Sequence, residues 1–511
     1  MPPDLDVAVV GGGHNGLTAA WYLARAGLRV GIFERRPFVG GAAITEELWP
    51  GYRFSTCAHM VHALDPGIQA DLRLEERGMV AIPRTGAFVP IPGGDYWGPA
   101  DHESPRNLSL QLTADETEAE RRYADMKRRL CELFAPYRLR TPPTLAEARA
   151  AAAARGDGQI LEDALTRTVR QLRHRYLPTG RLRDRHAAEA AAIGHDPGAL
   201  ALAYGSIDLA GPDARSTPHN GYIQGGIGVI TSLMRQAVEE AGVRIHTSAE
   251  AVSLVHGGGA ATGVRLADGT EVTARCVLSN LDPKRTFLRL VPPELTTAQL
   301  RRRVSALVTE VSCYKLLAAV DELLHWQAWD GDPALPSRGV VGLGRSEAVV
   351  DAAYADCDAG RPPAEPIVNF SVPSALDPTL APDGRHTASA WIYPAPARLR
   401  DTGWDTVRDR VAERLVDQIT RHAPNFRRSI LHLRLRTPAD LERENGLTDG
   451  CIWHIQHGGD QLFWNRPLPE LSRYRAPFPG LYLCGAGQHP GGEISGIPGR
   501  NAAQEVIRDL A

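Results

Sequence analysis

The sequence is poor in several features that would assign it to a particular class of protein. Its seven cysteines lie far apart and include no Cys-x-x-Cys pair, which argues against a disulfide framework, a zinc site or a dithiol redox centre. No apolar run reaches the roughly 18 residues that would span a bilayer. The first residues carry Asp4 and Asp6 and lack the basic flank and apolar stretch of a secretion signal. We therefore expect a cytoplasmic protein with reduced thiols and no metal site.

The chain also lacks an excess of charge of either sign. Its 57 Lys and Arg residues and 60 Asp and Glu residues give a formal net charge of -3 at pH 7, so nucleic acid is not expected as a partner. The 511 residues are 43% hydrophobic, which is ample for a large core around a cofactor. This length allows two domains or one large discontinuous domain, and it does not set an oligomeric state.

A strand, a glycine-rich turn, a helix and a second strand are predicted at the start of the chain. Residues 6–10 form a short apolar run, and the turn Gly-Gly-Gly-His-Asn-Gly follows at residues 11–16. A helical apolar pattern then continues to Gly27, and residues 29–33 predict the second strand. This order is typical of a βαβ nucleotide-binding unit.

Each glycine of the turn has its own task in such a unit. Gly11 permits the tight turn, Gly13 lets the backbone approach a pyrophosphate, and Gly16 lets the helix pack closely on the strand. The helix N-terminus, where Asn15 lies, offers free N–H groups and a partial positive charge to the phosphates. Glu34 closes the second strand, where a carboxylate accepts hydrogen bonds from an unphosphorylated ribose. The unit alone leaves NAD and FAD both open.

The residues that follow favour FAD. A basic pair and a glycine doublet resemble the extended fingerprint of glutathione-reductase-like, amine-oxidase-like and phytoene-desaturase-like flavoproteins. The stretch 36–45, with 50–56 after it, is similar to the phytoene dehydrogenase branch in particular. The resemblance implies FAD as the cofactor, with contacts from Arg35, Arg36, Gly40, Gly41 and Ala42.

The C-terminal segment supports the same resemblance independently. Residues 481–503 resemble the closing motif of carotenoid desaturases and isomerases and predict a strand, a glycine-rich loop and a helix. Gly485 is expected to allow close approach to the cofactor. A helix N-terminus near Ser495 would stabilise negative charge on the reduced flavin. The resemblance also implies flavin contacts from Glu493 and Ile494.

The resemblance implies an α/β fold, with a Rossmann-type, glutathione-reductase-like FAD-binding domain and an inserted, discontinuous α+β substrate domain. The segment 221–230 and the strand that holds Val252 match the family between the two ends, and Val252 is expected to lie against the adenine. The expected pieces are 1–75, 215–295 and 470–511 for the FAD-binding domain, and 76–214 and 296–469 for the substrate domain with its helical part.

Arginines cluster in the helical part, between Arg121 and Arg185. In relatives that handle lipids this part can dock on membranes, and a basic amphipathic face would suit anionic headgroups. The alternative is a solvated helix face, because arginine and alanine are good helix formers.

The chain carries one nucleotide fingerprint and no second glycine motif for NADPH. The implied reaction removes two hydrogens from a small-molecule substrate, passes a hydride to FAD, and ends with reoxidation by oxygen, a quinone or another carrier. The leading hypothesis is a desaturase or dehydrogenase that acts on an apolar or mixed metabolite. The alternatives are an amine-oxidase-like enzyme that releases peroxide, a carotenoid-isomerase-like enzyme that uses reduced FAD without net oxidation, and an FAD-binding protein without turnover.

A proton must also leave the substrate, so bases are expected near the flavin. Histidine titrates near neutral pH, and the segment 54–57 is expected to approach the isoalloxazine. Glu493 stands where many relatives have glycine, and the alternative role for it is a helix-capping carboxylate. The candidate bases are His59, His62, His489 and Glu493, each with a purely structural alternative, and His454 and His457 could line the substrate pocket.

Overall fold

The structure is a computed structural model that describes residues 3–99, 102–206, 221–309, 311–332, 334–458 and 460–511. The predictions for residues 207–220, which include the start of the expected piece 215–295, lie outside the described residues.

The strands are β1 Leu5–Val10, β2 Val30–Phe33, β3 Thr45–Trp49, β4 Tyr52–Ser55, β5 Ala81–Pro83, β6 Ala87–Pro90, β7 Tyr96–Trp97, β8 Gly221–Ile223, β9 Arg244–His246, β10 Ala251–Gly257, β11 Ala260–Leu266, β12 Glu271–Ser279, β13 Val311–Val320, β14 Val340–Leu343, β15 Ile367–Ser371, β16 His386–Pro396, β17 Ile430–Arg436 and β18 Leu481–Leu483. The helices are α1 His14–Arg25, α2 Pro66–Asp71, α3 Ala114–Phe134, α4 Leu145–Arg155, α5 Gly158–Thr166, α6 Val169–Tyr176, α7 Gly180–Arg185, α8 Gly228–Glu240, α9 Pro283–Arg285, α10 Ala298–Ser305, α11 Ala334–Ser337, α12 Glu347–Asp358, α13 Trp404–Thr420, α14 Phe426–Ser429, α15 Pro438–Asn445 and α16 Ile497–Leu510.

The first sheet confirms the predicted Rossmann-type fold. Its strand order is β10-β11-β12-β1-β2-β9, and β18 also pairs with β12. β1 runs parallel to both β2 and β12, whereas β10, β11 and β12 form an antiparallel meander. Val7 and Val9 on one face of β1 share a core with α1, α8 and α16, and Ala8 and Val10 on the other face share a core with the meander. Burial of both faces explains the continuous apolar run of this strand.

Helices α1 and α16 pack closely and bring distant parts of the chain together. A Cβ atom at Gly499 would clash with the carbonyl oxygen of Asn15, so the two helices can approach only because this residue is glycine. α16 begins at Ile497, after β18 and a glycine-rich loop. The C-terminal motif therefore has the predicted order of strand, loop and helix.

The second sheet has the strand order β17-β13-β16-β15-β14-β6-β7. The sequence pattern predicts strands at 311–320 and 388–393 and a helix at 404–422, and the structure has them as β13, β16 and α13. Lys315 is opposite Arg436 on one side and Trp391 on the other, and Trp391 is opposite Asn369. Cross-strand partners share a face, so these side chains form one row across the sheet.

The helical part between residues 114 and 206 lies beside the second sheet. The sequence pattern predicts helical segments at 116–134 and 145–176; the first is α3, whereas the second is divided into α4, α5 and α6. Gly156 ends α4 in the left-handed region, at φ 72°, and Thr168 begins α6 with a capping box. These local stop and start signals outweigh the continuous helical pattern.

The arginines of the helical part form ion pairs with neighbouring carboxylates. Two of these pairs connect α6 to α12, which packs beside the second sheet, through Arg170 with Asp351 and Arg173 with Glu347. The others include Arg128 with Asp125, Arg129 with Asp157, Arg175 with Asp163, Arg181 with Glu116 and Arg185 with Glu120. This pairing favours a structural role for the cluster over a free basic face.

The described ranges lack two features that would suggest other functions. None of the helices in these ranges is both long enough and apolar enough to cross a membrane. Over the same ranges, histidine, cysteine and acidic side chains do not gather in groups of three that could hold a metal ion. The domain boundaries at residues 75, 215, 295 and 470 stay a prediction.

Candidate functional site

A cavity of about 580 Å³ lies between the two sheets. On one side it is lined by residues at the carboxyl ends of parallel strands, namely Val10, Glu34 and Asn280. On the other side it is lined by Asn369 and Trp391 from the second sheet. The carboxyl edge of a parallel sheet is where α/β folds bind their ligands.

The glycine-rich turn forms one end of this cavity. Gly11 adopts φ 97°, a conformation that disfavours other residues. A Cβ atom at Gly16 would clash with the carbonyl oxygen of Gly11, which agrees with the close packing expected at that position. Gly11, Gly13 and Asn15 line the cavity, whereas Gly16 does not. The turn is therefore shaped for a ligand that meets its backbone.

Glu34 and the basic pair surround the second strand end. One oxygen of the buried Glu34 carboxylate accepts from the backbone N–H of Gly12 at 2.8 Å, and the other accepts from the N–H of Arg36 at 3.0 Å. Arg36 donates to the carbonyl oxygen of Gly41 at 2.7 Å, and Arg35 donates to carbonyl oxygens at the end of α15. The carboxylate and the glycine doublet are thus held in fixed positions beside the turn.

The remaining predicted cofactor contacts divide into two groups. Ala42, Val252 and Ile494 line the cavity, as do Arg35, Arg36 and Gly41. Gly40, Gly485 and Ser495 do not line it: the Gly40 N–H donates to Gly12 O, a Cβ atom at Gly485 would lie 2.9 Å from His454 Nδ1, and the Ser495 hydroxyl accepts from Ile497 N at the start of α16. Gly40, Gly485 and Ser495 therefore shape the backbone beside the cavity and do not face the cavity themselves.

His62 and Glu493 meet at the wall of the same cavity. His62 Nε2 lies 3.3 Å from Glu493 Oε2, and the indole N–H of Trp453 donates to Glu493 Oε1 at 3.2 Å. All three residues line the cavity. Burial alone would raise the pKa of Glu493, but the His62 and Trp453 contacts together hold that pKa below its ordinary value. The carboxylate is therefore ionised at neutral pH and faces an imidazole.

His59 lies near this pair but has a different environment. Its Nδ1 accepts a hydrogen bond from the indole N–H of Trp391, so Nε2 carries the proton. Burial, reinforced by the nearby Lys315 charge, holds the pKa of His59 well below its ordinary value. His59 is thus a fixed neutral hydrogen-bond donor at the cavity wall.

His489 does not line the cavity. Its side chain is buried and its Nε2 lies 2.9 Å from the carbonyl oxygen of Tyr137. Burial lowers the pKa of His489 to about 4. The structure therefore brings His59, His62 and Glu493 together at the cavity and places the fourth candidate base outside it.

Lys315 was missed by the sequence reasoning. It is completely buried behind Trp391, with Nζ 4.7 Å from the centre of the indole ring and without a hydrogen-bond partner in the described structure. Burial lowers the pKa of Lys315 to about 7. In the sequence, Lys315 stands out as a charged residue within an otherwise apolar strand. Only the pairing of β13 with β16 shows that it lies beneath the site.

His14 and His454 also line the cavity and carry unsatisfied nitrogens. His14 Nε2 and His454 Nδ1 are buried without a partner among the described residues. Burial lowers the pKa of His14 to about 4 and that of His454 to about 3. His457 Nε2 accepts from the N–H of Gly492 at 3.3 Å, its Nδ1 is also buried without a partner among the described residues, and the residue is not part of the lining. Buried, unpaired nitrogens beside a cavity indicate a ligand that supplies their partners.

Comparison with known proteins gives results consistent with this arrangement. Residues 9–73 match the family model for an NAD(P)-binding Rossmann-like domain. The chain is 33% identical to pyridine nucleotide-disulfide oxidoreductase domain-containing protein 2 of Rattus norvegicus, over 100% of this chain and 94% of that protein. It is 26% identical to the lycopene-forming phytoene desaturase of a Paracoccus species, over 98% and 97% of the two chains. Cyclohexylamine oxidase from Brevibacterium oxydans superposes with a TM-score of 0.64 at 16% identity, over 99% of this chain and 100% of that one.

Proposed function

Because the chain belongs to the family of pyridine nucleotide-disulfide oxidoreductase domain-containing protein 2, a phytoene-desaturase-like family of FAD-dependent oxidoreductases, we propose that it is an FAD-dependent dehydrogenase or desaturase. The observation that supports this most directly is that the glycine-rich turn and the His62–Glu493 pair line the same cavity. A cofactor bound at the turn and a substrate beside the pair would therefore be adjacent.

The residues present fit the ADP half and the ring of FAD. The turn at residues 11–16 and the N-terminus of α1 would hold the pyrophosphate, and Glu34 would accept from the ribose hydroxyls. Val252 lines the same end, where the adenine is expected. The unpaired nitrogens of His14 and His454 would find partners on the cofactor. Bound FAD would supply an acceptor for a hydride from the substrate.

His62 is the proposed base. Its imidazole lies at the cavity wall, and the Glu493 carboxylate both orients it and stabilises the imidazolium formed when it takes a substrate proton. The indole N–H of Trp453 donates to the second carboxylate oxygen and so helps to orient Glu493 toward His62. His59 contributes a fixed N–H donor and does not compete for the proton, because its other ring nitrogen is occupied by Trp391.

The wall beyond the pair indicates an apolar substrate with one polar group. Met60, Ala192 and Val340 supply apolar surface. Asn369 and Tyr393 supply the polar contact, with the Asn369 amide donating to Tyr393 Oη at 3.0 Å. Electrons would then leave to oxygen, a quinone or another carrier. Desaturation or dehydrogenation of such a metabolite is the proposed reaction.

The test is anaerobic photometry of the purified protein. We expect a yellow protein that retains FAD and whose flavin absorbance bleaches with an apolar metabolite from a panel. Peroxide release with an amine would indicate the amine-oxidase alternative, and conversion only after chemical reduction, without net redox change, would indicate the isomerase alternative. A colourless protein that takes up no added FAD would contradict the proposal.

A further inference from the structure

Arg466 is a completely buried arginine beneath the cavity wall. The five N–H groups of its guanidinium contact six acceptors within the described structure, with one N–H of Nη2 shared between two of them, and every acceptor is a backbone carbonyl oxygen. The acceptors are Trp453 and Ile455, Gln456 and Gln461, and Ala486 and Gln488, at 2.8 to 3.3 Å. The residue therefore joins the segment 453–461 to the C-terminal loop 486–488.

The positive charge of Arg466 is not neutralised by an ion pair to any described residue. Arg436 provides the contrast, since it is equally buried but pairs with the Glu444 carboxylate at 2.6 Å. Burial lowers the pKa of Arg466 to about 10, so it remains cationic at neutral pH. A buried charge without a counterion is costly and creates a strong local potential, because the surrounding dielectric is low.

This potential reaches the cavity. Trp453 and Ala486, whose carbonyl oxygens accept from Arg466 at 3.0 and 2.8 Å, both line it. After burial itself, the Arg466 charge is the largest cause that holds the pKa of His454 and of His457 low. The guanidinium thus lies directly behind residues that line the cavity, including Ala486 of the C-terminal loop, where the flavin ring is expected.

We propose that Arg466 is a positioning residue whose uncompensated charge makes the cavity wall at Trp453 and Ala486 favour negative charge. It thereby stabilises reduced FAD over oxidised FAD. The inference rests on the proposed binding of FAD. Six fixed carbonyl contacts hold the cation in place, so it needs no rearrangement when negative charge develops. The same field disfavours a cationic ammonium substrate and favours a neutral or anionic one.

The experiment compares FAD midpoint potentials in intact holoenzyme variants. Gln488→Glu introduces a buried carboxylate without removing the guanidinium, on a residue whose backbone carbonyl oxygen accepts from Arg466 Nε at 3.3 Å. Gln488→Met is the matched neutral control. We expect Gln488→Glu to bind oxidised FAD and to lower the midpoint potential by about 30 mV or more, which is a tenfold shift for a two-electron couple, while Gln488→Met leaves it unchanged.

Arg466→Lys and Arg466→Gln provide a second comparison. We expect the lysine variant, which keeps the charge, to retain a higher potential than the glutamine variant. A wild-type potential in FAD-loaded Gln488→Glu would overturn the inference, and so would a lysine variant whose potential is no higher than that of the glutamine variant. Neither result affects the proposed function, which is tested on the wild-type protein by its FAD content and by substrate-dependent bleaching.

Discussion

The imidazole of His62 lies 3.3 Å from the carboxylate of Glu493, although the two residues come from opposite ends of the chain. His62 follows the first βαβ unit, and Glu493 precedes α16. The packing of α16 on α1 brings them together at one end of the cavity. This pair gives the most direct prediction about catalysis.

His62→Asn should reduce the rate of substrate-dependent flavin bleaching by about 100-fold to 10,000-fold, the usual contribution of a general base. Glu493→Gln should have a smaller effect, because the imidazole keeps its place but loses the charge that stabilises its protonated form. Stopped-flow reduction at pH 7 measures both rates. FAD content serves as the control, and equal rates in wild type and His62→Asn would exclude His62 as the base.

The lowered pKa of Glu493 also predicts a pH dependence of stability. A carboxylate whose folded pKa lies below its unfolded value of about 4.5 contributes stability above that pH and loses it as the pH falls through the folded pKa. Urea unfolding of wild type and Glu493→Gln should therefore differ most above pH 5 and converge under acid conditions. A difference that does not change with pH would contradict this assignment.

Lys315 also has a lowered pKa, but here the buried charge costs stability. Its folded pKa of about 7 lies below its ordinary value of 10.5, so the folded protein binds fewer protons than the unfolded chain between these values. Stability should rise with pH across this window, and the cost of burying the lysine should be complete below pH 7. Lys315→Met should consequently stabilise the protein at pH 6 by a few kcal/mol, with about 5 kcal/mol as the upper limit from the full shift.

Urea unfolding at pH 6 and pH 9 tests the Lys315 prediction. The difference between wild type and Lys315→Met should shrink at the higher pH. A variant that is less stable than wild type at both values would show that Nζ has a compensating partner.

Glu34 gives a prediction about cofactor affinity. Glu34→Gln preserves the shape of the side chain but removes the charge that would accept from a ribose diol. Hydrogen bonds to charged groups contribute about 1.5 to 3 kcal/mol, so FAD affinity should fall roughly 10-fold to 150-fold. Fluorescence titration of the apoprotein with FAD measures the change. Glu250→Gln, at another residue that lines the same end, is the matched comparison and should have a smaller effect.

The contact between α6 and α12 gives a prediction about stability. Arg173 is buried against Glu347, so Glu347→Gln should destabilise the protein by about 2 kcal/mol. The exposed pair of Arg149 with Glu162 is a matched control, and Glu162→Gln should cost less than about 1 kcal/mol. Thermal unfolding compares the two, and equal effects would mean that the α6–α12 contact contributes no more than a surface pair.

The sequence was sufficient for the parts of the site that depend on local order. The turn at residues 11–16, its glycines and Glu34 follow one another along the chain, so their geometry follows from spacing alone. Lys315 and Arg466 could not be predicted in this way. Their roles depend on the pairing of β13 with β16 and on carbonyl groups from separate loops, which only tertiary structure brings together.

The dependence of the glycine-rich turn on α16 has a consequence for the order of folding. α1 and α16 lie far apart in the sequence, and their contact at Asn15 and Gly499 closes a loop that contains the whole second sheet. Contacts between such distant segments are slow to form, because the entropy of closing the loop must be lost before the contact stabilises the protein. The side of the turn that meets α16 is therefore expected to form late in folding.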